Sequence, residues 1–196
     1  MVGAGVDLQG RIAMDLGCGT GRNSLYLAEH GFTVYAIDIV PDLISRLQRK
    51  AEAAGMGSRL LAICGSVCDP WPAPDGAVEV AIDTFCYKHL MESEDRAAYR
   101  SELARVLKPG GQFLLTLASI EDGYYGALPY RSIDSGMHAI YDPANRIESV
   151  LYDRGAVEKR FAGDFSVTQH FEKRKRGQMH GAEYNRVTYV FVMSRR

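Results

Sequence analysis

Apolar positions along the chain fall into short blocks separated by segments with helical spacing. Five brief runs, Ile12–Leu16, Thr33–Ile37, Leu60–Ile63, Val78–Asp83 and Gln112–Leu117, are mostly apolar with little polar alternation. That pattern predicts strands buried on both faces, as in a parallel sheet covered by helices. Between them, PDLISRLQRKAEAAG sets Leu43, Ile44 and Leu47 on one face, with Pro41 in the first turn and Gly55 as its stop. SEDRAAYRSELARVLKPGG predicts a helix with Ser93 as N-cap and Glu94 and Asp95 in its first turn. Its buried stripe is Tyr99, Leu103, Val106 and Leu107, and Pro109, Gly110 and Gly111 end it. A further helix is expected from Asp142–Pro143 to Gly155, burying Ile147, Val150 and Leu151. From Asp164 onward the chain reads as two strands joined by a polar, glycine-containing turn, with the EKRKRG run (Glu172–Gly177) at its tip. Strand–helix alternation of this kind gives a right-handed, doubly wound α/β sheet, and the closing hairpin makes one strand antiparallel to the rest.

Composition narrows the classes without choosing among them. The 196 residues make one domain's worth of chain, 46% hydrophobic and 24% charged, as in ordinary globular proteins. A net charge of −1 offers no field to steer a polyanion, so the basic run is read as solvated and nucleic acid is not the expected partner. No apolar run of membrane length and no signal peptide is found, so a cytoplasmic protein without membrane association is expected. Cys18, Cys64, Cys68 and Cys86 form no C-x-x-C pair and have no histidine at zinc spacing; they read as buried, reduced thiols, with no metal expected.

The chemistry begins at the first strand's end, in DLGCGTG. In doubly wound sheets ligands bind outside the carboxyl ends of the strands. Glycines there let a ligand approach bare backbone. Dinucleotide folds use G-x-G-x-x-G, whereas Gly17, Gly19 and Gly21 are spaced G-x-G-x-G, with Asp15 just before them. A carboxylate there repels a diphosphate and attracts an ammonium or sulfonium. The loop is therefore suited to a ligand with a cationic centre.

DLGCGTGRNSLYLAEHG resembles the first motif of class I S-adenosylmethionine-dependent methyltransferases, and YAIDIVP resembles the second. ICGSVCDPWPAPDGAVEVAID and LKPGGQFLLTLAS resemble the adenine-side and fifth-strand segments, so the likeness runs in order from Ile12 to Ser119. The glycine-loop region is also similar to small tellurite-resistance and thiopurine-type methyltransferases. The resemblance implies a single domain over 1–196, with a Rossmann-like, seven-stranded, mostly parallel sheet and an antiparallel C-terminal strand. It implies S-adenosylmethionine as cofactor, leaving as S-adenosylhomocysteine. It assigns Asp15, Gly17, Gly19 and Gly21 to the methionine end, Asp38 to the ribose, and Ser66 with Val67 to the adenine. Cys18, Thr20 and Ile39 are counted with the cofactor-binding residues. Asp83 is expected to face the ammonium group or the acceptor, and Thr20 and Asn23 either cap the first helix or touch the ligand. Two features depart from the family pattern. Ser66 stands where an acid usually follows the glycine, and only about eleven residues precede the first strand, where many members carry covering helices. A more open site, a partner subunit or a second copy as cover, or a fragment would account for the latter.

Methyl transfer is an in-line displacement that depends on positioning, with a base needed only where the acceptor loses a proton. Candidates lie in two loops. DTFCYKHL holds Tyr87, Lys88 and His89, and SIEDGYYGALPYRS holds Asp122, Tyr124, Tyr125 and Tyr130, followed by His138 and Tyr141. His89 is a candidate general base because histidine titrates near neutrality. Tyr87, Tyr124 and Asp122 are the other acceptor-side candidates, with plain packing as the competing reading. The loop after the fourth strand is not N-P-P-Y, which argues against adenine and glutamine amide methylation. The expected function is methyl transfer to N, O or S of a small molecule. The alternatives are an RNA or protein acceptor and a noncatalytic cofactor-binding subunit.

Overall fold

The computed structural model describes residues 10–196; most of the segment before the first strand, and with it the expectation of a missing cover, lies outside that range. Parallel strands β1 (Ile12–Leu16), β2 (Thr33–Asp38), β3 (Leu60–Cys64), β4 (Val78–Thr84) and β5 (Leu107–Ala118) form the first half of the chain. Helices α1 (Arg22–Glu29), α2 (Pro41–Ala53) and α3 (Ser93–Val106) connect them. Next come three short strands, β6 (Tyr130–Asp134), β7 (Met137–Asp142) and β8 (Ile147–Tyr152), then α4 (Arg154–Phe161). The hairpin β9 (Phe165–Met179) and β10 (Ala182–Arg195) ends the chain. The main sheet has the order β3-β2-β1-β4-β5-β10-β9, and β10 runs antiparallel to β5 and β9. This is the seven-stranded, doubly wound sheet with an antiparallel closing strand that the sequence predicts.

Two apolar layers cover its faces. On one side, Leu27, Ile44 and Leu47 of α1 and α2 pack with Ala13, Val34 and Leu60. On the other, Tyr99, Leu103 and Val106 of α3 and Phe161 of α4 pack with Met14, Phe113 and Phe191. Strands covered on both faces need no polar alternation, which explains their apolar runs.

The structure corrects several local expectations. Ser93 is the first helical residue of α3 rather than its cap; Glu92 takes the cap position, and Ser93 Oγ donates to Glu94. The helix expected over 142–155 is absent. Its first part is the turn after β7 and then β8, while α4 starts only at Arg154. β6, β7 and β8 form a separate antiparallel sheet in that order. The hairpin tip is His180–Gly181, both at positive φ, so the basic run lies within the edge strand β9. Charged side chains on an open edge discourage pairing with another chain. Two of those cations are already paired, Arg174 with Glu121 and Glu172, and Arg176 with Glu183. Of the cysteines, Cys18 is buried, Cys68 and Cys86 are partly so, and Cys64 is exposed, against the expectation of four buried thiols. Among the described residues no helix is long and apolar enough to cross a membrane.

Candidate functional site

Strand order reverses between β1 and β4, because the chain runs from β1 outward to β2 and β3 and returns on the other side. Loops leaving the two carboxyl ends diverge there and open a crevice. A cleft of about 340 Å³ occupies it. One wall is Gly17, Asp38, Ile39, Gly65, Ser66 and Val67, from the ends of β1, β2 and β3. The other is Thr84, which ends β4, then Phe85, Cys86, His89 and Leu90 after it, together with Ile147 from β8.

The glycine loop is shaped by its neighbours. Gly17, Gly19 and Gly21 all have φ between +54° and +80°, the left-handed region that side chains disfavour. A Cβ on Gly21 would lie 2.1 Å from a Leu47 methyl, so this glycine is held by α2. A Cβ on Gly19 would meet nothing within 4 Å. Asp38 fixes the loop: its Oδ2 accepts from the Gly19 amide at 2.8 Å and its Oδ1 from the Val40 amide at 3.0 Å. Each carboxylate oxygen keeps a lone pair for a further donor. With a carboxylate, backbone glycines and the apolar side chains of Ile39 and Val67 on one wall, the donor set fits a nucleoside with vicinal hydroxyls and a flat base, as in S-adenosylmethionine. Asp38→Ala is expected to weaken S-adenosylhomocysteine binding by about 10- to 100-fold, given charge-assisted bonds of about 1.5–3 kcal/mol each. Unchanged affinity in calorimetry would place the ribose elsewhere.

Several residues assigned to the ligand make contacts within the protein. Asp15 is 1% exposed and accepts from Ser24, through its hydroxyl at 2.5 Å, so it holds the start of α1; burial raises its carboxyl above the ordinary range. Cys18 packs in the α1–α2 layer. Thr20 offers its carbonyl to Lys50, and Asn23 donates to Thr84 Oγ1 at 3.2 Å. Neither Thr20 nor Asn23 caps α1, whose N-cap is Gly21. Ser66 Oγ lines the cleft and accepts from the Cys68 amide at 3.0 Å.

Asp83 is fully buried, contrary to the expectation that it faces a ligand. Its oxygens accept from the amides of Cys86 and Tyr87 and from Tyr99 Oη at 2.8–2.9 Å, which ties the turn after β4 to α3. Burial pushes this carboxyl up to about 7, against the pull of those donors. An unfolded aspartate ionises near 3.9. Between the two values the folded chain holds the extra proton, so this group's contribution makes stability fall as pH rises through that window. Asp83→Asn is expected to remove that slope and to cost about 1–3 kcal/mol, because an amide nitrogen then faces a donor. Thermal melts from pH 4.5 to 7.5 test this, and an equal slope in both proteins would assign it to other groups.

Of the four acceptor-side candidates, only His89 lines the cleft. It sits in the one-turn 3₁₀ segment Tyr87–His89, and its Nδ1 lies 3.1 Å from the Glu148 carbonyl and 3.2 Å from Ser149 Oγ. Burial lowers its pKa. Tyr87 is wholly buried, its hydroxyl accepting from Arg100 at 2.8 Å. Asp122 is buried against Arg186 at 2.8 Å and also accepts from the Val187 amide. Tyr124 donates to Asp142 at 2.7 Å, and that bond raises its phenol to about 12. Asp122 and Tyr124 brace the loop after β5, while Tyr87 ties the turn after β4 to α3. Tyr130 stacks on His138, with ring centroids 3.9 Å apart.

Phe85, Leu90 and Ile147 line the cleft without having been singled out. Ile147 was hidden by the mistaken helix. Among the described residues no group of three or more His, Cys, Asp or Glu is placed to hold a metal ion.

Comparison with known proteins agrees with this geometry. Residues 13–111 match the family described as a methyltransferase domain. The chain is 34% identical over 145 residues to a ubiquinone biosynthesis O-methyltransferase of Xylella fastidiosa, covering 70% of this chain and 56% of that one. It is 34% identical over 104 residues to a demethylmenaquinone methyltransferase of Thermus thermophilus, covering 52% and 44%. The chain thus spans about half the length of these curated relatives. In fold it is similar to an S-adenosylmethionine-dependent methyltransferase of Methanosarcina mazei, with TM-score 0.72 and 17% identity over 96% of this chain and 93% of that one. It is also similar to a Burkholderia thailandensis 1,6-didemethyltoxoflavin N1-methyltransferase solved with S-adenosylhomocysteine, with TM-score 0.66 and 18% identity over 95% and 72%.

Proposed function

The chain belongs to the class I S-adenosylmethionine-dependent methyltransferases, and on that premise we propose that it methylates N, O or S of a small-molecule acceptor, with His89 as general base. The observation that carries this reading is the cleft itself, which sets the Asp38 wall opposite a wall with a single histidine. S-adenosylmethionine, when bound, supplies an electrophilic methyl on a sulfonium. Asp38 would hold the ribose hydroxyls, Ser66 and Val67 would bound the adenine, and Gly17 would admit the methionine portion at close range. Relatives whose names state a substrate, such as demethylmenaquinone and 1,6-didemethyltoxoflavin, support a small acceptor.

The Glu148 carbonyl can only accept, so Nδ1 of the neutral His89 ring carries the proton and Nε2 keeps the basic lone pair. Ser149, itself wholly buried, holds the ring from the same side. Glu148 and Ser149 are positioning residues in this reading. Calorimetry with S-adenosylhomocysteine is the first test, since a folded protein that does not bind it lacks the activity. An acceptor screen with labelled cofactor then identifies the substrate.

A further inference from the structure

Lys88 is 4% exposed, yet among the described residues its ammonium has neither a hydrogen-bond acceptor nor an ion-pair partner. It rests 4.4 Å from the centre of the Tyr125 ring and 5.8 Å from that of Phe85. Charged groups surround it but are otherwise engaged. Asp122 is held by Arg186 and by the amides of Val187, Tyr124 and Tyr125. Asp142 is held by Tyr124, Asn145 and the Ala144 amide, with His180 at 3.9 Å. An ammonium largely withdrawn from water, with open donors, attracts an anion more strongly than a surface lysine does.

Phe85 is a neighbour that Lys88 and the cleft share. Phe85 lines the cleft, is 36% exposed, and holds a φ of +69°, a region bulky side chains rarely occupy. Strain of this kind persists where the surroundings enforce it, and it often marks a working site. His89, the next residue after Lys88, reaches the same cleft. An acceptor lying against Phe85 would have an ionisable proton near His89 and its far substituent near Lys88.

We propose that Lys88 is a specificity residue that reads a carboxylate on the methyl acceptor, admitted past the edge of the Phe85 ring. The preferred acceptor is then a hydroxy or amino acid with a flat ring, and this rests on the methyltransferase reading above. Burial lowers the Lys88 ammonium to about 8, so the preference weakens as the pH rises past that value. Asp142 and Asp122 oppose that shift, while Arg186 adds to it.

The experiment uses matched aromatic hydroxy acids and their methyl esters, for example 3,4-dihydroxybenzoate and methyl 3,4-dihydroxybenzoate. Binding is measured by calorimetry on the full chain saturated with S-adenosylhomocysteine. Wild type is expected to prefer acids at least about tenfold at pH 7, an increment of about 1.4 kcal/mol. Lys88→Met should abolish the preference without changing S-adenosylhomocysteine affinity. Should that variant fail to fold, Lys88→Gln and a wild-type pH series from 6.5 to 9.5 make the same comparison. A preference that survives loss of the charge overturns the proposal. So does a wild type that binds S-adenosylhomocysteine but favours no acid over its ester. Loss of S-adenosylhomocysteine binding by folded wild type would bring down the underlying functional reading as well.

Discussion

Replacing His89 with glutamine is expected to lower kcat by about 10²- to 10⁴-fold, the range ordinarily supplied by a positioned general base. S-adenosylhomocysteine affinity should barely change, because His89 stands on the wall opposite Asp38. The pH profile separates a base from a bystander. Burial holds His89 below its ordinary value, against the Glu148 carbonyl and with the help of the neighbouring Lys88 charge. A base acts in its deprotonated form, so kcat/KM for an uncharged acceptor should climb with pH through a point below about 6.5 and then level off. In His89→Gln that limb should vanish. Full activity with the limb intact would remove His89 from the chemistry and leave positioning alone to drive transfer.

Gly17→Ala is expected to cost the protein its cofactor. A Cβ at this position would lie 2.5 Å from Cys86 Cβ and 2.7 Å from its sulfur, with φ at +67°. Neither wall can yield cheaply, since Gly17 directly follows β1 and Cys86 is anchored through its amide to buried Asp83. Overpacking of this kind costs about 1–3 kcal/mol, and the left-handed backbone adds about 1–2 kcal/mol. The two walls must part where the ligand would sit, so S-adenosylhomocysteine affinity should fall by more than about 100-fold, a loss of more than about 2.7 kcal/mol. Cys86→Gly introduced alongside should recover the steric share and leave only the backbone share, a coupling readable in a double-mutant cycle. Equal losses in the single and double variants would mean that the clash is relieved some other way.

The five parallel strands could be read from the sequence because the inner ones are covered by helices and need no polar face, and the edge strand β3 keeps the same apolar run. One wall of the cleft was legible for a related reason: the glycine run after β1 and the acid ending β2 mark the tips of adjacent strands. The acceptor side was not. Ile147, Val150 and Leu151 are spaced like a helical stripe, and Asp142–Pro143 looks like a helix start. In β8, Ser149, Val150, Leu151 and Tyr152 are all buried, so the two-residue alternation of a strand is erased. The burial of Asp15, Asp83 and Asp122 was not legible, because a carboxylate in or beside a loop reads the same whether it meets a ligand or a neighbouring hydroxyl, amide or guanidinium. Burial decides between them, and burial follows from the packing of α1, α3 and β10. Tyr124 hides for the same reason, its partner Asp142 lying in a strand the sequence did not reveal.

The small sheet β6–β8 leaves two parts of the chain with unequal freedom to evolve. The stretch matched by the family, residues 13–111, carries the Asp38 wall of the cleft and His89 itself. The groups that orient the His89 ring, Glu148 and Ser149, come from the later strands, as does the apolar rim at Ile147. Selection can therefore rewrite β6–β8 to suit a new acceptor while the inherited half goes on delivering the same methyl donor. One ancestral engine can in this way diversify across substrates without being rebuilt.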